Sequence, residues 1–461
     1  MRYFICFVLL FEFFSIILHK LYNERYFRLM KKIFFAVLMV TNVMLAYAQS
    51  GTNSPYSQYG LGMLADQTSG FNRGMNGLGL GFREHNQINF LNPASYSSLD
   101  SLTFIFDAGV SGQITNFEEN GRKKNAKNAN FEYVVAGLRF APHLGMSFGI
   151  IPFSNVGYSY SNTDYISDMK TATFTNNYNG SGGIHEVYLG LGWEPFKGFS
   201  LGVNGGFIWG DYTKTVVNNY SESSANTLSK NYSANIHNYK VDLGLQYSTK
   251  LSNKDVLTVG LTYSLGHKIG GGASCQVIMR NAQTNVSDTT NYPKSGGLDL
   301  ELPHMFGVGF AYNHTIKWKL GVDYSLQQWS KVSSPEYYVE NNIPAYALKS
   351  DLFSDRHKVT VGGEYCPDAS GKKFWKSIRY RAGVSYATPY IKINGGDGPK
   401  EISASLGFGV PIVNGYNNRS ILNVSAQWVR QDAKNYIKEN TFRINIGLTF
   451  NERWFAKWKI E

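Results

Sequence analysis

Residues 439–450 run Glu439-Asn440-Thr441-Phe442-Arg443-Ile444-Asn445-Ile446-Gly447-Leu448-Thr449-Phe450. Phe442, Ile444, Ile446, Leu448 and Phe450 are apolar, and Arg443, Asn445, Gly447 and Thr449 separate them. Side chains alternate across a strand with period two, so this stretch has one apolar face and one polar face. A two-layer sandwich would show the same pattern. A membrane barrel is the better reading for three reasons. The alternation recurs along almost the whole chain, it follows a secretion signal, and its interruptions are alternately short and long.

The recurrence is plain in three further stretches. In 239–248, Tyr239, Val241, Leu243, Leu245 and Tyr247 alternate with Lys240, Asp242, Gly244, Gln246 and Ser248. In 318–327, Trp318, Leu320, Val322, Tyr324 and Leu326 alternate with Lys319, Gly321, Asp323, Ser325 and Gln327. In 378–386, Ile378, Tyr380, Ala382, Val384 and Tyr386 alternate with Arg379, Arg381, Gly383 and Ser385. The apolar set is expected to face lipid and the polar set the lumen. A Lys or Arg on the lipid face would cost roughly 2–4 kcal/mol near the midplane. Lipid cannot satisfy open sheet edges, so such strands must close on themselves.

About fourteen strands are expected, at 101–115, 129–141, 144–161, 183–195, 198–216, 232–249, 254–268, 301–313, 316–331, 355–366, 376–388, 401–413, 418–430 and 439–450. An even count suits a bacterial outer-membrane barrel. The gaps at 142–143, 196–197, 250–253, 314–315, 367–375 and 414–417 are short. Those at 116–128, 162–182, 217–231, 269–300, 332–354, 389–400 and 431–438 are mostly long and rich in Asn, Ser, Thr and Gly. Short periplasmic turns and long external loops have this layout, and a soluble sandwich has no reason to sort its loops so.

The N-terminal region reads as processing signal rather than fold. Met30-Lys31-Lys32 is a basic start, Ile33–Leu45 an apolar run, and Ala46-Tyr47-Ala48 a small-x-small cleavage site before Gln49; that is a secretory signal peptide over 30–48. No cysteine follows the cleavage site, so a lipid anchor is not expected. Upstream, the apolar stretch Phe4–Leu18 is short for a bilayer span, and residues 1–29 are read as preceding the true start at Met30. Beyond the signal no run of about eighteen apolar residues occurs, so no membrane-spanning helix is expected. Charged residues are only 17% of the chain and aromatic residues 15%. Tyr and Phe suit strands and interfacial girdles. No Pro/Ser-rich linker divides the chain, which favours one large all-β unit over several soluble domains.

Cys6, Cys275 and Cys366 give no disulfide framework and no CxxC metal spacing. The net charge of +11 sits largely in expected loops and tails, such as Arg122-Lys123-Lys124 with Lys127, and Arg453, Lys457 and Lys459. On an exported protein such cations suit anionic lipid headgroups rather than nucleic acid.

Residues 49–100 do not read as strands. They contain Ser54-Pro55-Tyr56-Ser57-Gln58-Tyr59-Gly60-Leu61-Gly62, then Arg73-Gly74-Met75-Asn76-Gly77-Leu78-Gly79, then Asn89-Phe90-Leu91-Asn92-Pro93-Ala94-Ser95-Tyr96. This glycine-dense leader is too long for a linker, and a barrel of this width can enclose it. The combination of Gly60-Leu61-Gly62, Arg73-Gly74, Gly77 and Asn92-Pro93-Ala94 resembles the FadL-type outer-membrane transporters of hydrophobic compounds. Weaker echoes are Asp323-Tyr324-Ser325 with Gln328-Trp329-Ser330, and Gly362-Gly363-Glu364-Tyr365. The chain departs from the family in having Phe82-Arg83-Glu84-His85-Asn86 where an acidic pair often precedes Asn-Pro-Ala, which marks a divergent branch.

The resemblance implies a fourteen-stranded barrel over 101–450 plugged by an N-terminal hatch over 49–100, with a short periplasmic tail at 451–461. It also implies passive uptake of a hydrophobic small molecule such as a long-chain fatty acid, with a hatch shift opening an exit, often sideways through the wall. Such a solute gains by leaving water and needs no energy source to move down its gradient. Pro152 and Gly157, in the third strand, are candidates for the break in the wall, because Pro removes a ladder donor; a plain strand bend is the alternative. Arg379, Arg381 and Arg443 could hold a ligand carboxylate, or could pair with Asp242, Asp323 and hatch acids. A different class of function stays open: a non-transporting barrel that is a scaffold or shuttle subunit of a secretion or surface-assembly system. A lumen blocked by the hatch, without an apolar pocket above residues 56–96, would favour it.

Catalysis finds little support. His185 beside Glu186 could hint at an outer-membrane lipase, but no Ser or Asn partner can be assigned, and a solvated rim residue is the expected role. Gly145-Met146-Ser147-Phe148-Gly149 matches a nucleophile elbow, which needs a strand-to-helix turn, yet it lies within an expected strand. Gly395-Gly396-Asp397-Gly398 is a single turn rather than a calcium-binding repeat. No enzyme activity, metal or cofactor is expected. Phe450, ending the last strand, resembles the terminal aromatic read by barrel-assembly machinery. The expected partners are that machinery during biogenesis, outer-membrane lipid and lipopolysaccharide, and a hydrophobic ligand, with the chain a monomer in the outer membrane.

Overall fold

The computed structural model describes residues 51–166, 172–369, 373–412 and 420–452. The signal peptide, the upstream residues 1–29 and the tail 453–461 lie outside them. Fourteen antiparallel staves close into a transmembrane barrel. They are β1 Phe104–Glu119, β2 Arg122–Ala141, β3 Leu144–Tyr165, β4 Thr173–Phe196, β5 Phe199–Tyr220, β6 Thr227–Lys250, β7 Asp255–Ser264, β8 Met305–His314, β9 Trp318–Gln327, β10 Arg356–Tyr365, β11 Arg379–Ala387, β12 Lys400–Ile412, β13 Ser420–Asp432 and β14 Lys438–Glu452. Each pairs with its sequence neighbour, and the ring closes where β1 pairs with β14 from Phe104↔Glu452 to Glu118↔Lys438. That closing stave is the 439–450 stretch. Phe442, Ile444 and Ile446 lie exposed on the outside, while Asn445 and Thr449 are buried inside.

The expected long gaps are corrected at one end. Most of 116–128, 162–182 and 217–231 is strand: β1 and β2 meet at a tight turn around Asn120-Gly121, and β3 to β6 run 22 to 24 residues each. Crossing a bilayer takes about 9–11 tilted residues, so these staves stand well above it. Above the belt the outward positions turn polar as well, so the apolar-out alternation vanishes although the backbone ladder persists. The opposite wall is low, with β9, β10 and β11 only 10, 10 and 9 residues long.

The expected strands 254–268 and 301–313 are both interrupted. β7 ends at Ser264 and the chain resumes as the strand Lys268–Arg280. Before β8, the short strands Ser287–Tyr292 and Leu298–Glu301 pair with that upper piece. Gly266 and Pro303 stand in the two breaks, where a Cβ on Gly266 would meet the backbone of Pro303 and His304. Cys275 and Cys366 are buried free thiols.

Candidate functional site: the plugged lumen and its seam

The leader fills the lumen from one end to the other. Its first part, with a 3-10 turn at Pro55–Gln58, lies among the tall staves: Lys214 Nζ donates to the carbonyls of Gln58 and Gly60 at 2.8 and 2.9 Å. Gly60 and Gly62 both have positive φ (+52° and +96°), and Gly62 passes so close to Asn155 that a Cβ would lie 2.6 Å from its carbonyl oxygen. Left-handed backbone at close quarters is glycine's use.

The middle of the leader is held by the short helix α1, Gly70–Gly74. Arg73 Nη2 meets Glu132 Oε2 at 2.6 Å, with both side chains buried. Glu132 reaches inward because of a β-bulge. Tyr133 pairs with Gly109 and Phe131 with Val110, leaving Glu132 as the extra residue. A bulge re-aims a side chain, so Glu132 and Tyr133 both point into the lumen while Phe131 stays outside. The Tyr133 hydroxyl donates to Asp107 (2.9 Å) and accepts from the Gly70 amide (2.7 Å). Gly74 abuts Arg381, and Asn76 donates to Ser385 and Ser403. Gly77 turns the chain with φ +88°.

The lower part docks by shape. Asn92 caps the 3-10 turn Pro93–Ser98 by accepting from the Ala94 amide at 3.1 Å, and donates to Leu80 O at 2.9 Å. Gly192, Gly202 and Gly244 lie side by side on β4, β5 and β6. A Cβ on Gly202 would lie 2.2 Å from the Pro93 carbonyl carbon, and one on Gly244 2.2 Å from Asn92 Oδ1. Three glycines thus make the bay into which Asn92-Pro93-Ala94 fits. Asp323 accepts from the amides of Gly79 and Leu80 at 2.7 and 2.9 Å. Arg83 pairs with Glu194 at 2.6 Å.

The three candidate arginines are engaged. Glu364, directly opposite Arg381 in the ladder, takes Arg381 at 2.7 Å and Arg379 at 2.8 Å. Lys319 bridges Glu364 to the leader's Glu84. Arg443 meets the leader's Asp66 at 3.4 Å, as does Lys358. Pairing of the arginines with Asp242 and Asp323 is therefore corrected, because Asp242 is taken by Lys240 two residues away on the same face (2.6 Å) and Asp323 by the leader's amides. Burial alone would raise the Asp66 carboxyl, but Lys358, Arg443 and Arg73 outweigh it and hold it well below the usual carboxylate range. Glu84 is likewise held down, Lys319 overcoming its burial.

Pro152 and Gly157 lie where the wall parts. β3 pairs with β2 only from Leu144 to Ile150. Beyond that point β3 keeps its partner β4 through a bulge at Phe153, and its other edge is taken by the leader. Met63 and Leu64 pair with Asn155 and Ser154, the Ala65 amide donates to Phe153 O at 3.0 Å, and the Gly157 amide donates to Ser57 Oγ at 3.1 Å. On the β2 side, Asn130 donates to Gly51 O and Asn53 to Asn128. The seam between β2 and β3 is filled by the chain's own leader.

The lumen lining is polar only in its lower part. Higher up, Val156, Ile184, Ile208, Ile236 and Leu300 turn inward and pack with Tyr56, Leu61, Trp329 and Phe353 into one buried apolar cluster. The alternation is unchanged there, but leader and loops cover the inner face, so it too is dry. A narrow crevice beside Arg73, Glu132 and Tyr133 has no room for a water molecule. His185 faces outward against Trp209 (5.8 Å) rather than standing at a solvated rim. Ser147 lies mid-strand, bonded to Ala136 O and the Tyr188 hydroxyl. Glu132, Glu364 and the three-glycine bay were not anticipated. Period two does put Glu364 inside, whereas a bulge leaves no mark in composition.

A family model described as BamG matches residues 29–461. No curated protein matches the chain. Among solved structures, the barrel is similar to the Pseudomonas putida toluene transporter TodX, at 13% identity and a TM-score of 0.57 over 86% of this chain and 100% of that one. It is similar to the Ralstonia pickettii toluene transporter TbuX (13%, TM-score 0.55, 83% and 97% covered). It is also similar to a Pseudomonas aeruginosa FadL homologue (12%, TM-score 0.52, 84% and 98% covered). At these identities the likeness establishes the fold, that of FadL-type barrels.

Proposed function

The chain belongs to the BamG family, and we propose that it is an outer-membrane channel for passive uptake of hydrophobic small molecules. The observation that carries this reading is the buried apolar lining of the upper lumen, which leads directly to the leader-filled seam at Phe153–Gly157. A wet pore has no use for inward-facing isoleucines. An apolar solute entering between the tall staves would displace the Tyr56–Leu61 part of the leader, move along the Ile184–Ile208–Ile236 surface, and leave sideways between β2 and β3. Monoaromatic hydrocarbons are the solutes to try by analogy with the similar toluene transporters, and long-chain fatty acids by the leader's resemblance to FadL-type transporters.

The test is flux of labelled toluene and of a labelled long-chain fatty acid into liposomes holding the mature protein from Gln49. Faster entry than in empty vesicles, and faster still on weakening the seam with Ala65→Pro, supports the channel. No gain for either solute with either protein overturns it.

One observation favours a second reading, a non-transporting scaffold or shuttle subunit of a secretion or surface-assembly system. The leader packs the lumen without a cavity beside Arg73 and is tied to the wall by four separate ion-pair groups, at Asp66, Arg73, Arg83 and Glu84. Native mass spectrometry separates the two. A co-purifying hydrophobic molecule, lost on deleting residues 51–96, supports the channel; an empty barrel that retains a protein partner supports the scaffold.

A further inference from the structure

The tall part of the wall has an outer face that neither uptake nor plugging uses. Its inner face is fixed by contacts: the Tyr160 hydroxyl donates to Gln58, Tyr160 stacks on Tyr178 at 4.8 Å, and Tyr232 packs against Tyr346. Side chains alternate along a strand, so the residues between these turn outward. The register lines them up across six strands, namely β3 to β6, Lys268–Arg280 and Ser287–Tyr292. One row reads Ser159, Asn179, Thr215, Asn231, Gln276 and Asn291. The row below holds Ser181, Thr213, Ser233 and Ser274, and the row above is Ser161, Asn177, Val217, Ser229, Ile278 and Thr289. No residue in the three rows is charged. Asp211 and Arg280 stand outside them, below and above.

Four features say what such a face fits. At about 4.8 Å per strand, the rows are roughly 25 Å wide, and they stand directly above the aromatic pairs His185–Trp209 and Tyr239–His267. Aromatic rings at that level mark the headgroup region, so the face occupies the layer of surface sugars. Hydroxyls and amides offer donors and acceptors at no net charge, the match for a chain dense in hydroxyls. Anionic headgroups or phosphates would call for Arg or Lys, and the chain, at +11, keeps its cations elsewhere. A protein partner would need aromatic or large apolar anchors, and only Val217 and Ile278 interrupt the polar field. Several of the side chains are already held by one another: Ser159 donates to Asn179 (2.8 Å), Gln276 to Asn291 (3.2 Å), and Ser233 and Ser274 share a bond (3.2 Å). Such ordering lowers the entropy lost on binding.

We propose that the outward face of the tall wall is a docking surface for the uncharged sugar chains of the outer leaflet's own glycolipid. This rests on the outer-membrane reading above, not on transport. The experiment uses the full mature protein in detergent and, as probe, the neutral polysaccharide released by mild acid from smooth lipopolysaccharide. Saturation-transfer NMR reads contact on the sugar protons. Wild type should transfer, and the triple variant Asn179→Ala, Thr215→Ala, Asn231→Ala should lose the signal, as should Thr215→Lys alone. Unboiled gel mobility checks that each variant remains a folded barrel. Absence of transfer with wild type, or full transfer with the folded triple variant, overturns the proposal. So does equal binding of deep-rough glycolipid, which lacks the chain and would indicate a charged-headgroup site. Cell fractionation tests the outer-membrane reading separately, and solute flux in liposomes should not change in the triple variant.

Discussion

Arg73 and Glu132 carry the most consequential single contact in the lumen. Both are buried, and among the described residues neither has a second ion-pair partner. Removing one member of a buried pair strands the other charge, typically at about 3–5 kcal/mol. Arg73→Ala should therefore leave a folded barrel whose leader is readily cut at Arg83 by trypsin, while wild type resists. Equal protease resistance in the two would remove Arg73 from its role. Gly202→Val makes the same point through shape, since its side chain would overlap the Pro93 backbone; the leader's lower part should become protease-sensitive although no charge is touched. Acid gives a third reading. Asp66 and Glu84 have depressed folded-state values, so their contribution is complete above the unfolded carboxylate range near pH 4 and is lost as pH falls through the lower folded values. Protection of the leader should not decline between pH 8 and pH 5 and should fail only below about pH 4. A loss near pH 6 would mean that other groups govern it.

Among the elements, the seam is the weak place. β3 changes partner after Ile150, from a long barrel stave to a two-residue strand of the leader. The exchange leaves few ladder bonds there. Ala65→Pro deletes the amide that donates to Phe153 O, and a net hydrogen bond is worth about 1 kcal/mol. Amide exchange over 151–157 should then quicken by roughly fivefold, with β9 and β10 unaffected. Uniform quickening around the ring would instead show that the whole barrel loosens together. The same reasoning assigns Pro152 a local role. It sits two residues past Ile150, the last point where β3 still pairs with β2, and a residue without an N–H suits the place where an edge is given up.

For the molecule as a whole, the staves were legible because lipid imposes a single rule on every outward position from Phe442 to Val187. The rule fails above the belt, where no lipid dictates the outward positions and they turn polar, so β1 to β6 look in sequence like loops attached to short strands. Glycine-rich phrases such as Gly60-Leu61-Gly62 and Asn92-Pro93-Ala94 announced a leader with special backbone. They could not announce its sockets, which lie on Gly192, Gly202 and Gly244, on a bulge at Glu132, and on Glu364. Those are properties of pairing between distant strands rather than of any one stretch. The leader's span of contacts also sets an order in time. Ser54 binds Glu439, 385 residues later, and β14, which carries Glu439, is the stave that shuts the ring. The leader thus waits for the last stave to complete this contact. Complete seating of the plug comes only with the last stave, and a late and slow step is expected of so distant a pairing.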